Sequence, residues 1–206
     1  MLNNTGFDLW ANDYDRDVQH TEESNEYPFA GYKAVLRTIH QTITRGAGNR
    51  VLELGFGTGI LAKKLYDSGY LITGVDFSQV MIDIAQPKMP DARLIQHDFS
   101  RGIPDAIANG TFDFVVCTYA IHHLTDPQKI ALLQTLQAML APQGCILIGD
   151  VAFATNAELA VCRAKYGDEW DEDEIYPTAE NLLPAFPHLR FEQISHCAGV
   201  ITIPKF

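Results

Sequence analysis

Glu53 sits in an apolar run, Val51 to Leu54, that opens straight into Gly55, Gly57 and Gly59. Glycines in a strand-to-helix turn can reach positive φ and lack the Cβ that would hold a ligand off the peptide N–H groups. The helix expected from Ile60 onward adds donors at its first turn. Together these features suit a nucleotide-like cofactor. A dinucleotide fingerprint reads GxGxxG, whereas this chain reads GxGxG with Ile60 next. Asp76 ends the following apolar run, 21 positions after Gly55, with Phe77 beside it. A carboxylate there can accept from both hydroxyls of a ribose. The alternative is a helix cap, although Ser78 already supplies one. Asp98, followed by Phe99, can accept from an exocyclic amine or shape the turn before Ser100. Glu53 itself is costly to bury unless it faces an amino or cationic group, or the loop N–H groups.

A second set follows the fourth apolar run: Thr118, Tyr119, His122 and His123. Either histidine can serve as general base for a hydroxyl or amine, or stand as a structural residue capping the next helix. Adjacent side chains diverge, and no further histidine or carboxylate stands at ligand spacing, so no metal is expected.

These residues need elements to hold them. Hydrophobic periodicity predicts helices over residues 7–20 and 29–45, the second carrying Tyr32, Val35, Leu36, Ile39 and Ile43 on one face. Strands and helices then alternate: strand 50–54, helix 59–68, strand 71–76, a helix from Ser78 to about 86, strand 92–96 and strand 112–117. A helix over 126–140 follows, with Asp126 as cap and Pro127 at its first position, then a loop at 142–144 and strand 145–151. Residues 152–187 are mixed acidic and aromatic, and two β-rich runs, 189–197 and 199–204, close the chain. Such βα alternation predicts an α/β fold with a parallel sheet covered on both faces and an antiparallel hairpin at one edge. Ligands in these sheets sit beyond the carboxyl ends of the strands, where strand order reverses. Every polar residue named above falls there.

Length and charge narrow the partners. The 206 residues suffice for one domain. A net charge of −11 argues against nucleic acid, whose binders carry a clustered basic surface, and favours a small molecule. The four cysteines form no CxxC pair, which suits free thiols in a reducing compartment. Neither a secretory start nor an 18-residue apolar stretch is present, so a soluble cytoplasmic protein without membrane contact, monomeric or homodimeric, is expected.

The glycine loop, Gly74-Val75-Asp76-Phe77-Ser78, Asp98 and the run Phe112 to Leu124 together resemble the class I S-adenosylmethionine-dependent methyltransferases. Trp10, Ala11, Tyr14 and Asp15, Phe29 and Tyr32, and the ThrTyrAla…HisHisLeuThrAsp segment are similar in particular to a small bacterial group of YrrT-like members. The resemblance implies a doubly wound, Rossmann-like, seven-stranded and mostly parallel sheet with an antiparallel C-terminal edge strand. It implies one methyltransferase domain, with an N-terminal helical cap (1–48), a cofactor-binding core (49–151), a lid insertion (152–187) and C-terminal strands (188–206). By it, Glu53, Gly55, Phe56, Gly57 and Gly59 hold the methionine end of S-adenosyl-L-methionine, Asp76 with Phe77 the ribose, and Asp98 with Phe99 the adenine. Tyr14 lies over the cofactor, and Thr118 and Tyr119 lie beneath the sulfonium or beside the acceptor. Phe56 departs from the small residue common in this family, which the loop tolerates if that side chain points away from the ligand. Methyl transfer from a sulfonium needs alignment and dryness more than a strong base. Trp10, Tyr14, Tyr27, Phe29, Tyr32, Phe153, Tyr166, Trp170 and Tyr176 can wall a small-molecule acceptor site, or be ordinary core. Asp13, Asp15 and Asp17, with Asp168, Glu169, Asp171, Glu172, Asp173 and Glu174, read as solvated charge, or, if some line the mouth, as favouring an amine or otherwise cationic acceptor. The competing readings are an RNA or protein methyltransferase and a module that binds the cofactor without turnover.

Overall fold

The computed structural model describes residues 26–205. Seven strands form one sheet: β1 (Arg50–Leu54), β2 (Leu71–Asp76), β3 (Arg93–Gln96), β4 (Phe112–Thr118), β5 (Leu140–Val151), β6 (Arg190–Gln193) and β7 (Ala198–Pro204). Their spatial order is β3-β2-β1-β4-β5-β7-β6. The first five run parallel, and β7 lies antiparallel between β5 and β6. Strand order therefore reverses between β1 and β4, as the βα alternation predicts. The predicted hairpin is at the β5 edge, with β6 outermost.

Helices α1 (Tyr32–Arg45), α2 (Ile60–Asp67) and α3 (Gln79–Ala85) precede β1, β2 and β3 respectively, α4 (Asp126–Ala138) precedes β5, and α5 (Asn156–Tyr166) and α6 (Ala179–Leu182) follow it. Period-two alternation divides the strands between two cores. Leu52, Leu54, Val115 and Cys117 point to the α4 side, while Val51, Phe114 and Val116 point to α1 and α2. The α1 helix buries Tyr32, Val35, Ile39 and Ile43. It reaches the sheet because Gly149 leaves room: a Cβ there would stand 2.4 Å from Val35 Cγ1.

Three boundaries depart from the sequence expectations. The α1 helix starts at Tyr32 instead of residue 29, because Gly31 takes φ 81° as its N-cap. Thr125, and not Asp126, is the N-cap of α4, with its N–H donating to Gln128 Oε1 at 2.9 Å. Asp126 instead accepts from Lys129 Nζ and Asn181 Nδ2. The loop expected at 142–144 is part of β5: pairing shifts from Phe112 opposite Leu140 to Phe114 opposite Cys145, which marks a bulge. The helix expected over 7–20, with Trp10 and Tyr14, lies outside the described residues. Among those described, all four cysteines are free, and no helix is long and apolar enough to cross a membrane.

Candidate functional site

The turn between β1 and α2 has positive φ at each glycine: 66° at Gly55, 54° at Gly57 and 81° at Gly59. A Cβ on Gly55 would lie 2.5 Å from that of Ala120, whereas one on Gly57 would meet nothing within 4 Å. Gly55 is thus required by packing and Gly57 by conformation. The three glycine N–H groups are not presented bare, as the sequence suggested. Gly55 donates to Val75 O at 2.7 Å, Gly59 to Phe56 O at 2.9 Å, and Gly57 to Asp76 Oδ2 at 2.9 Å. Asp76 also accepts from Ser78 N–H through Oδ1 at 2.9 Å. One buried carboxylate therefore ties the turn after β1 to the turn after β2.

Glu53, Gly55, Phe56, Gly57 and Thr118 share one cleft with Tyr32 and Leu36 of α1. Glu53 is 1% exposed, and its Oε2 has no hydrogen-bond partner among the described residues. Burial, followed by the nearby charge of Asp76, pushes its pKa up to about 8. Phe56 lines the cleft and is also core: a Cβ on Gly74 would stand 2.7 Å from its ring. The Phe77 carbonyl accepts from Gln96 Nε2 at 3.2 Å. Asp98 makes the turn, accepting from Ser100 N–H at 2.9 Å and pairing with Arg101 at 3.4 Å. Phe99 beside it is buried against the glycine loop. Tyr14 lies outside the described residues.

The adjacent rim carries the second set. Tyr119 has φ 49°, the one non-glycine residue at positive φ among those described. Its ring packs 5.1 Å from Tyr32 and 5.5 Å from Phe29, so these three aromatics gather at the cleft. His122 is buried with Nδ1 2.8 Å from Asp150 Oδ1 and Nε2 3.3 Å from Glu174 Oε1. Burial alone would lower its pKa, but the carboxylates of Asp150 and Glu174 outweigh that and hold it above the ordinary imidazole value. His123 stacks edge-on at 4.3 Å and is pushed down to about 4 by burial and by His122. One ligand atom from each of His122, His123 and Glu174 lies within 4.8 Å of the other two. The expectation that no carboxylate stands at ligand distance fails, because Glu174 arrives from 51 residues further on.

The chain matches a family model described as a methyltransferase domain over residues 51–144. An uncharacterized methyltransferase of Oceanobacillus iheyensis is 30% identical over 97% of this chain and 95% of its own length. The chain belongs to the methyltransferase family. Another uncharacterized methyltransferase, from Geobacillus kaustophilus, is 37% identical over 87% of this methyltransferase and 84% of the relative. Among solved structures, magnesium protoporphyrin IX methyltransferase from Synechocystis with bound SAH superposes with a TM-score of 0.70 at 15% identity, covering 99% of this chain and 100% of that one. That likeness shows the same fold.

In this methyltransferase, sequence reasoning missed Asp150, and it named Glu174 and Tyr176 without placing them beside His122. Asp150 carried a readable signal, since it is the next-to-last residue of β5, on the same rim where Asp76 ends β2. Glu174 carried none. It sits in a run of six acidic residues, and only the fold of 167–178 separates it from its solvated neighbours.

Proposed function

We propose that this methyltransferase uses S-adenosyl-L-methionine to methylate a small-molecule acceptor. The observation that carries the reading is Glu53: a buried carboxyl with an unpartnered oxygen, in a cleft walled by the glycine loop. Such a group fits an ammonium, which would restore its lost solvation. Gly57 leaves the open space a ligand needs, and Asp76 ends β2 where a carboxylate can meet ribose hydroxyls. Bound there, the cofactor would supply a methyl on a sulfonium, open to in-line displacement. Thr118 and the Tyr119 ring would border that methyl, with Phe29 and Tyr32 excluding water. We assign adenine to the side of Phe99. Asp98 contributes through its turn, which fixes Phe99, and through its half-exposed carboxylate. Residues 1–48 would cap the cleft, 49–151 hold the cofactor, 152–187 cover the acceptor, and 188–206 complete the sheet.

A small acceptor is favoured by the net charge of −11, which opposes a phosphate backbone. The SAH-bound neighbour, which acts on magnesium protoporphyrin IX, is consistent with it. The buried free thiols suit a cytoplasmic setting. Titration calorimetry with S-adenosylmethionine and S-adenosylhomocysteine tests the cofactor. We expect one site with a Kd of about 1–100 µM, and absence of binding below about 1 mM would refute the reading. Turnover of labelled cofactor in a metabolite extract then separates an enzyme from a binding module.

A further inference from the structure

We infer that His122, His123 and Glu174 form a site for one divalent transition-metal cation of the zinc type, on the acceptor side of the cleft. The donors are two imidazoles and a carboxylate, a set that suits zinc, cobalt or nickel better than magnesium. In a tetrahedral site with bonds of about 2.0–2.1 Å, neighbouring ligand atoms stand roughly 3.4 Å apart. His122 Nε2 and Glu174 Oε1 already stand 3.3 Å apart, and the three ligand atoms fall within 4.8 Å. Small side-chain rotations would bring in the third.

The surroundings orient this set as outer partners orient metal ligands. Asp150 Oδ1 holds His122 Nδ1 at 2.8 Å, which aims Nε2 at Glu174. The Tyr176 hydroxyl donates to Glu174 Oε2 and leaves Oε1 facing the histidines. Charge provides an independent argument. Asp150 is fully buried, and its Oδ2 has no hydrogen-bond partner among the described residues. Two carboxylates converge on one imidazole, so a dication would neutralise the group.

Position gives the site its use. His122 and His123 follow β4, Asp150 is the next-to-last residue of β5, and β4 pairs directly with β1, whose end bears the glycine loop. Neighbouring strands lie about 4.8 Å apart, so cation and cofactor cleft share one rim. Three protein ligands leave an open position. Resting on the function proposed above, that position would take a hydroxyl or thiol of the acceptor: the O–H or S–H bond breaks, a metal–oxygen or metal–sulfur bond forms, and the proton passes to solvent.

Tag-free protein titrated with Co2+ and followed by visible absorption tests the site. We expect one equivalent to bind with a Kd of about 1–50 µM, to be displaced by Zn2+, and to weaken at least about tenfold in Glu174→Gln and His123→Ala and about 10–100-fold in Asp150→Asn. Glu174→Gln keeps size and shape, so it reports binding even if another variant misfolds. No ligand-field absorption at about 1 mM Co2+, or binding unchanged in Glu174→Gln and His123→Ala, would overturn the inference. The same samples titrated with S-adenosylhomocysteine separate the two readings. S-adenosylhomocysteine binding without cobalt defeats the metal site alone, and cobalt binding without S-adenosylhomocysteine defeats the assigned function.

Discussion

Asp76 does two things with one side chain: it joins the Gly57 and Ser78 amides, and its charge helps to raise the pKa of Glu53. Its removal should therefore loosen the loop as well as the ribose contact. Asp76→Ala should weaken S-adenosylhomocysteine at least about 30-fold, near 2 kcal/mol, while His122→Ala should leave that affinity within about threefold. Calorimetry on both variants checks this, and equal losses would place the ribose elsewhere. Glu53 gives a pH prediction. Its folded pKa, about 8, lies above the ordinary 4.5, so the stability it contributes is complete below pH 4.5 and is lost as pH rises through 8. A bound ammonium prefers the ionised form, so cofactor affinity should change the opposite way, strengthening up to about pH 8 with proton release. Calorimetry in buffers of differing ionisation heat measures the released proton, and Glu53→Gln should abolish both pH trends.

Elements meet closely where glycine allows it. Gly149 lets α1 lie on β5 and β7, and Gly74 admits the Phe56 ring over β2. Gly149→Ala should overpack α1 against the sheet and destabilise the protein by about 1–3 kcal/mol, as read by urea unfolding with an unchanged m value. Because Tyr32 and Leu36 of α1 line the cleft, the same variant should also weaken the cofactor. At this scale the sequence was legible for β1, β2, β4 and the turns after them, whose apolar runs and glycines have local causes. It misjudged the β5 start, since the bulge at 142–144 depends on how β4 pairs. It misjudged the helix start at Tyr32 as well, because Gly31 packs against Ser195, far along the chain.

The molecule as a whole is clasped by the segment after α5. Tyr27 stacks on Trp170 at 5.0 Å, its hydroxyl meets that of Tyr176, and Tyr176 reaches Glu174 and so His122. Ile175 N–H adds a bond to His122 O at 2.8 Å. Trp170→Ala should cost about 3–5 kcal/mol and raise hydrogen exchange at 170–176, with the glycine loop unaffected, which exchange mass spectrometry can map. Tyr27, Phe153, Trp170 and Tyr176 are accordingly one core, whereas Phe29, Tyr32 and Tyr119 pack in another, of which Tyr32 lines the cleft. The sequence by itself determined the α/β order, the glycine turn and the acid that follows it, because each is written in local spacing and backbone preference. The tertiary structure alone decided that Glu174 leaves its acidic run to face His122, and that Glu53 Oε2 is buried with no hydrogen-bond partner among the described residues. Burial and long-range approach set both, and no local pattern encodes them.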